Sequence, residues 1–223
     1  MEQFAPSLMC MDLVQMKKQL NVLDQQMDLY HFDIMDGHYC KNITLSPMVL
    51  KAVRQCTDKY IDVHLMTTEP ADWVEACATA GASCISPHAE TINTDAFRMI
   101  HKIKDAGCDF GVVLNPATPL SYVEPYLNSV DILTIMTVDV GFAGQKFIEE
   151  MLDKIALAKK LREERGYHYR IQIDGSCNKA NYKALREAGA DIYIIGNKGL
   201  FSLDPDLRTA CEKMKEEFRK ETA

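Results

Sequence analysis

The sequence is sparing in the features that mark exported, membrane-bound or nucleic-acid-binding proteins. Its eight cysteines, at positions 10, 40, 56, 77, 84, 108, 177 and 211, contain no C-x-x-C pair, which argues against a redox dithiol, a zinc ribbon or a stapled secreted module. No basic segment followed by an apolar run opens the chain, and no apolar run approaches the ~20 residues needed to cross a bilayer. These absences read as a cytoplasmic protein with reduced thiols, several of them in the core. Basic residues are in deficit: 25 Lys and Arg stand against 32 Asp and Glu, a net charge of −7, with a pI near 5.4. A chain without cationic excess cannot neutralise many phosphates, which excludes nucleic acid and anionic membrane as partners and leaves a single, backbone-held phosphate as the exception. No Pro-, Gly- or Ser-rich linker divides the 223 residues, so residues 1–223 are expected to form one domain.

What is present is a repeat. Short β-rich runs recur near 3–8, 29–34, 60–66, 83–88, 109–114, 131–137, 169–174 and 191–196, each followed by a helical or turn-rich stretch. Helices are expected over 12–26, with Asp12 as N-cap, over 70–80, opening on Pro70, and over 146–165, ending before Gly166. Strands that alternate with helices imply a parallel sheet, and eight such units imply closure into a (β/α)8 TIM barrel. A doubly wound open sheet is the alternative.

Within β-rich HFDIMDG (31–37), His31, Asp33 and Met35 share one face and Phe32 and Ile34 the other, because side chains alternate along a strand. An imidazole and a carboxylate buried together need each other, a metal or a substrate. Polar residues recur at the other strand ends: Ser7, His64, His88, Asn115 and Asp174. A TIM barrel gathers such residues at the carboxyl ends of its strands, where its active site lies. His31, Asp33, His64 and Asp174 then make a set of two imidazoles and two carboxylates, suited to zinc, manganese, cobalt or iron(II) rather than magnesium or calcium. The bland counterpart is a pair of satisfied core histidines with their carboxylates. Three glycine-bearing turns, DVGFAGQKF (139–147), DGSCN (174–178) and NKGLFS (197–202), follow the last three strands and offer backbone amides for a phosphate.

Together HFDIMDGHY (31–39), DVHLM (62–66), VLNPATP (113–119), MTVDVGFAGQKF (136–147), IDGSCN (173–178) and AGADIYIIG (188–196) resemble the ribulose-phosphate 3-epimerase family from end to end. The resemblance implies a ribulose-phosphate-binding barrel that epimerises C3 of a ketose phosphate through an enediolate. Asp33 and Asp174 are then the acid/base pair, and His31, Asp33, His64 and Asp174 hold one divalent transition metal per subunit. Ser7, His64 and Asp174 contact the substrate, as do Gly141, Phe142, Ala143, Gly144, Gly175, Ser176, Gly196, Asn197 and Lys198, while Met35, Met66 and Met136 line the site. A homo-oligomer is implied as well. Within the family, PSLMCMDL (6–13), NITLSP (42–47) and DGSCN look most like the branch that interconverts D-allulose 6-phosphate and D-fructose 6-phosphate. The ribulose 5-phosphate/xylulose 5-phosphate pair is the first alternative and a non-catalytic phosphosugar-binding barrel the second. Departures from the family pattern fall at Val140, where proline is usual, at Asn197 and Lys198, where small hydroxyl residues are usual, and at Tyr39–Lys41.

Overall fold

The computed structural model describes residues 2–223. Eight strands, β1 (Gln3–Pro6), β2 (Leu29–Met35), β3 (Tyr60–Met66), β4 (Cys84–Pro87), β5 (Asp109–Leu114), β6 (Ile132–Met136), β7 (Arg170–Asp174) and β8 (Ile192–Ile195), lie in the order β1-β8-β7-β6-β5-β4-β3-β2. All the pairings are parallel. A parallel bridge from Ser7 to His31 joins β1 to β2 and returns the sheet upon itself. The expected (β/α)8 barrel is therefore the fold, and the doubly wound alternative, in which strand order reverses at a switch point, is excluded.

Around the barrel run α1 (Met16–Leu23), α2 (Pro47–Arg54), α3 (Val74–Ala80), α4 (Ala89–Ile92), α5 (Ala96–Asp105), α6 (Met151–Arg165), α7 (Tyr182–Ala188) and α8 (Leu207–Glu221). Three helix starts differ from the sequence expectation. The expected 12–26 segment begins as a 3₁₀ turn, Leu13–Gln15, because the Asp12 carboxylate accepts from the Val14 amide at 3.0 Å and from the Gln15 side-chain amide at 2.9 Å. Pro70 opens a 3₁₀ turn before α3. Helix α6 starts at Met151 rather than 146, since the preceding residues fold over the barrel mouth: Ile148 N donates to Thr137 O at 2.9 Å, and Gln145 Nε2 donates to the Phe142 carbonyl at 2.8 Å. Its end is as expected, at Gly166, whose φ of 66° is left-handed. Between β5 and β6, prolines at 119 and 125 limit the chain to 3₁₀ turns.

The outward faces of the strands, such as Tyr30, Phe32 and Ile34 or Ile61, Val63 and Leu65, are buried against the helices. The inward faces stack in layers. At the bottom Tyr60 donates to Asp109 at 2.6 Å and the Arg170 guanidinium lies 5.4 Å from the Tyr60 ring centre. An apolar plug of Ala5, Leu29, Cys84, Ile132, Ile192 and Ile194 follows. Above the plug the interior turns polar, with His31, Asp62, Ser86, Thr134 and Gln172 wholly removed from solvent. Such a layer is tolerable only if its groups satisfy one another.

Candidate active site

The polar layer is built on Asp62. Its carboxylate accepts from Gln172 Nε2 at 2.6 Å and from Ser86 Oγ at 2.5 Å, and lies 3.1 Å from His31 Nδ1. Gln172 donates also to Thr134 Oγ1 at 2.9 Å. With Nδ1 of His31 engaged from below, its Nε2 points up toward the barrel mouth, 3.3 Å from Asp33 Oδ1, 3.6 Å from Asp174 Oδ2 and 3.2 Å from His64 Nδ1. His64 Nδ1 in turn lies 3.4 Å from each of the same two carboxylate oxygens. The four residues that sequence spacing assembled thus meet at one point, each offering one donor atom, all within 4.8 Å of one another.

Those separations are informative. Ligand bonds of ~2.0–2.1 Å in tetrahedral array have donor-to-donor edges of roughly 3.4 Å, and the five measured edges run from 3.2 to 3.6 Å. Two imidazole nitrogens and two carboxylate oxygens so spaced fit a divalent transition metal.

Electrostatics within the cluster are mutual. Burial alone would depress the His31 imidazole, but the charge of Asp33 and hydrogen bonding to Asp174, Asp33 and Asp62 hold it well above the usual range. His64 is raised against its burial by hydrogen bonding to Asp174 and Asp33. Burial alone would raise Asp33 and Asp174; the two imidazoles outweigh it and hold both carboxyls low. The carboxylates behave as a pair rather than as independent sites.

Above the cluster a cleft opens at the barrel mouth. Ser7, Asp33 and Asp174 form part of its lining, together with Met35, Met66 and Met136. The Gly141, Phe142, Ala143, Gly144 turn, Gly175 with Ser176, and Gly196, Asn197 and Lys198 contribute the rest of the expected contact set. His64 is the exception: with His31 it lies beneath the cleft, fully buried. Ser7 donates to Asp33 Oδ2 at 2.7 Å rather than to backbone. Gly175 has φ of 124°, and a side chain there would meet Val138 at 2.7 Å, so this turn requires glycine. The unusual Tyr39–Lys41 loop packs against the glycine turn: a side chain on Gly141 would meet Cys40 at 3.0 Å, and Asn42 Nδ2 donates to Gly141 O at 2.9 Å. Lys198 is solvent-exposed at the rim.

Sequence reasoning passed over Asp62, Ser86 and Glu90. Asp62 had a signal, since it stands two residues before His64 and so on the same face, mirroring the His31–Asp33 spacing. Beside His64 lies His88, whose imidazole burial pushes down to about 4 despite Glu90 nearby. Burial would raise Glu90, yet the His88 imidazole beside it and the hydrogen bond from Thr118 bring it to about 2.

A sequence model described as the ribulose-phosphate 3 epimerase family matches residues 3–201. Similar proteins include ribulose-phosphate 3-epimerase of Bacillus subtilis (strain 168), 39% identical over 199 residues that cover 88% of this chain and 91% of the relative. The ribulose-phosphate 3-epimerase of Escherichia coli (strain K12) is 37% identical over 218 residues, covering 97% and 96%. Among solved structures, KGPDC from Streptococcus mutans superposes with a TM-score of 0.76 at 14% identity, covering 100% of this chain and 99% of that one. The 3-hexulose-6-phosphate synthase from Salmonella typhimurium gives a TM-score of 0.72 at 16% identity, covering 98% and 99%. These two likenesses are of fold.

Proposed function

The chain belongs to the ribulose-phosphate 3-epimerase family, an isomerase family, and on that premise we propose that it interconverts D-ribulose 5-phosphate and D-xylulose 5-phosphate. The observation that carries the reading is the convergence of two carboxylates, Asp33 and Asp174, within 3.3 and 3.6 Å of one imidazole nitrogen at the floor of the cleft. They arrive from β2 and β7, strands separated by β1 and β8, and so can approach one carbon from two sides.

Inverting a carbon next to a carbonyl requires taking its proton from one face and returning one to the other, through an enediolate. In the proposal one of the two carboxylates accepts the C3 proton while the other, protonated, delivers a proton to the opposite face; reversal of the reaction exchanges their roles. Ser7, hydrogen-bonded to Asp33, orients that carboxylate and contacts a sugar hydroxyl. The three methionines present apolar, polarizable walls that keep water from the planar intermediate. Amides of the 141–144, 175–176 and 196–197 turns hold the phosphate, with Lys198 supplying charge at the rim. His31, Asp33, His64 and Asp174 would hold a divalent metal, which would supply electrophilic stabilisation of the developing negative charge, an effect of several kcal/mol.

The six-carbon pair suggested by residues 42–47 and 174–178 differs by one CHOH unit, and the five-carbon pair is preferred because the relatives above carry the ribulose-phosphate name. The test is kcat/KM for both pairs on metal-replete protein, with C3 deuterium exchange monitored by NMR. The five-carbon pair is expected to give the larger value. A larger value for D-allulose 6-phosphate would install the six-carbon reading, and exchange with neither would overturn the epimerase reading.

A further inference from the structure

His64 reaches the cluster through Nδ1, which lies 3.2 Å from His31 Nε2 and 3.4 Å from both Asp33 Oδ1 and Asp174 Oδ2. A neutral imidazole that offers its lone pair at Nδ1 carries its proton on Nε2. That Nε2 faces Nε2 of His88 at 2.8 Å, and both residues are fully buried. A single proton fits between two nitrogens so placed. His64 therefore donates, His88 accepts, and His88 must keep its own proton on Nδ1. His88 Nδ1 and Glu90 Oε2 are 3.4 Å apart. Both atoms are buried, and neither has a hydrogen-bond partner within ordinary distance and angle among the described residues. The separation is long for a hydrogen bond, as polar contacts in unliganded sites often are before they tighten.

Glu90 is not free to turn elsewhere. Its Oε1 accepts from the Asn115 amide at 3.1 Å and from the Thr118 hydroxyl. The loop carrying those donors is itself clamped by Lys154, whose Nζ donates to the carbonyls of Asn115, Pro116 and Thr118 at 3.0, 2.6 and 2.7 Å. From the other side the Tyr39 ring covers His88, centroid to centroid 4.7 Å, while its hydroxyl accepts from Asn115 Nδ2 at 2.7 Å. Neither His88 nor Glu90 lines the cleft.

Resting on the metal-binding reading of the cluster, we infer that His88 and Glu90 are a positioning relay that locks His64 in the Nε2–H tautomer with Nδ1 aimed at the metal. The relay does through an intervening imidazole what Asp62 does for His31 by direct contact. Each histidine ligand thus has its own carboxylate, one on β3 and one just beyond β4, and neither carboxylate lines the cleft. Such outer partners set ring orientation and ligand basicity, and their loss typically weakens metal binding about 10- to 100-fold.

The experiment has two arms. In zinc-loaded protein labelled with ¹⁵N-histidine, long-range ¹⁵N–¹H spectra report the tautomers directly. His64 is expected protonated at Nε2 and His88 at Nδ1; a proton on His88 Nε2 overturns the relay, and this arm needs no variant to fold. In the second arm zinc affinity is measured by chelator competition for the wild type, Glu90→Gln and His88→Phe. Both variants are expected to bind zinc at least about 10-fold more weakly, the double variant no more weakly than the worse single, because the two act as one unit. Zinc affinities within threefold of the wild type in folded single variants would sink the relay alone, with epimerase activity in the wild type leaving the proposed function standing. A wild type that takes up no zinc while still exchanging the C3 proton would overturn both the relay and the metal reading, and leave the two-carboxylate chemistry intact.

Discussion

Asp33 and Asp174 share neighbours but not exposure: the Asp33 side chain is 4% accessible and that of Asp174 17%. Asp174 is therefore the carboxylate in better contact with the cleft and its water. Asp174→Asn keeps the shape and removes the proton carrier. C3 deuterium exchange is expected to fall by about 10²-fold or more, while binding of the phosphosugar, read by calorimetry, persists. Retained exchange would remove Asp174 from the acid/base pair. At this scale the sequence is a good guide to the faces of single strands and to the polar residues gathered at the strand ends, His31, Asp33, His64 and Asp174. The shared face of His31 and Asp33 follows from a period of two, whereas the union of Asp62 with Gln172, 110 residues away, depends on barrel closure and on inter-strand stagger that no local spacing encodes. Glu90 was illegible for a different reason: it sits beyond β4 in a four-residue helix, where strand alternation no longer says which way a side chain faces.

Among the elements, the strands were legible because buried parallel strands are apolar runs bounded by turn residues. Helix starts were not, because first donors are claimed by other partners: Ile148 N by Thr137 O, and Val14 N by the Asp12 carboxylate in a 3₁₀ turn. Helix α6 contributes more than a packing face. Lys154 on that helix donates to three carbonyls of the loop after β5, satisfying acceptors that a regular helix after β5 would have used itself. Lys154→Met preserves the aliphatic stem and deletes those bonds. Urea unfolding should show a loss of about 2 kcal/mol, in the range of hydrogen bonds from a charged donor; a loss below about 0.5 kcal/mol would mean that water replaces the clamp without cost.

For the whole molecule, the cluster gives stability a two-sided dependence on pH once metal is removed by a chelator. Glu90 titrates near 2 in the folded chain against an ordinary 4.5, so its contribution is full above 4.5 and is lost as pH falls toward 2. Asp33, Asp62 and Asp174 are displaced in the same direction. His31 and His64 are raised above an ordinary 6.5; their contribution is full below 6.5 and is lost as pH rises through the higher folded values. His88, pushed down to about 4, contributes stability that is full above 6.5 and is lost as pH falls toward 4, so the urea midpoint of metal-free protein should be greatest near 6.5 and decline on either side, with Glu90→Gln acting on the acid limb. A midpoint still rising through pH 8 would contradict the imidazole assignments.

The closing seam of the barrel has a consequence outside catalysis. Every other neighbouring pair of strands is joined by a ladder of two or more register pairs, while β1 meets β2 through the bridge of Ser7 to His31, a bond from Asp28 N to Phe4 O at 3.3 Å and the Ser7 hydroxyl on Asp33. Two strand edges that would otherwise offer unpaired amides to other chains are thus sealed by backbone pairing, to which the Ser7 hydroxyl adds a side-chain tie. Substituting Ser7 removes its hydroxyl's tie to Asp33, whereas the backbone bridge of Ser7 to His31 and the bond from Asp28 N to Phe4 O remain, so a turnover-defective variant at this corner keeps the ring closed and its strand edges covered.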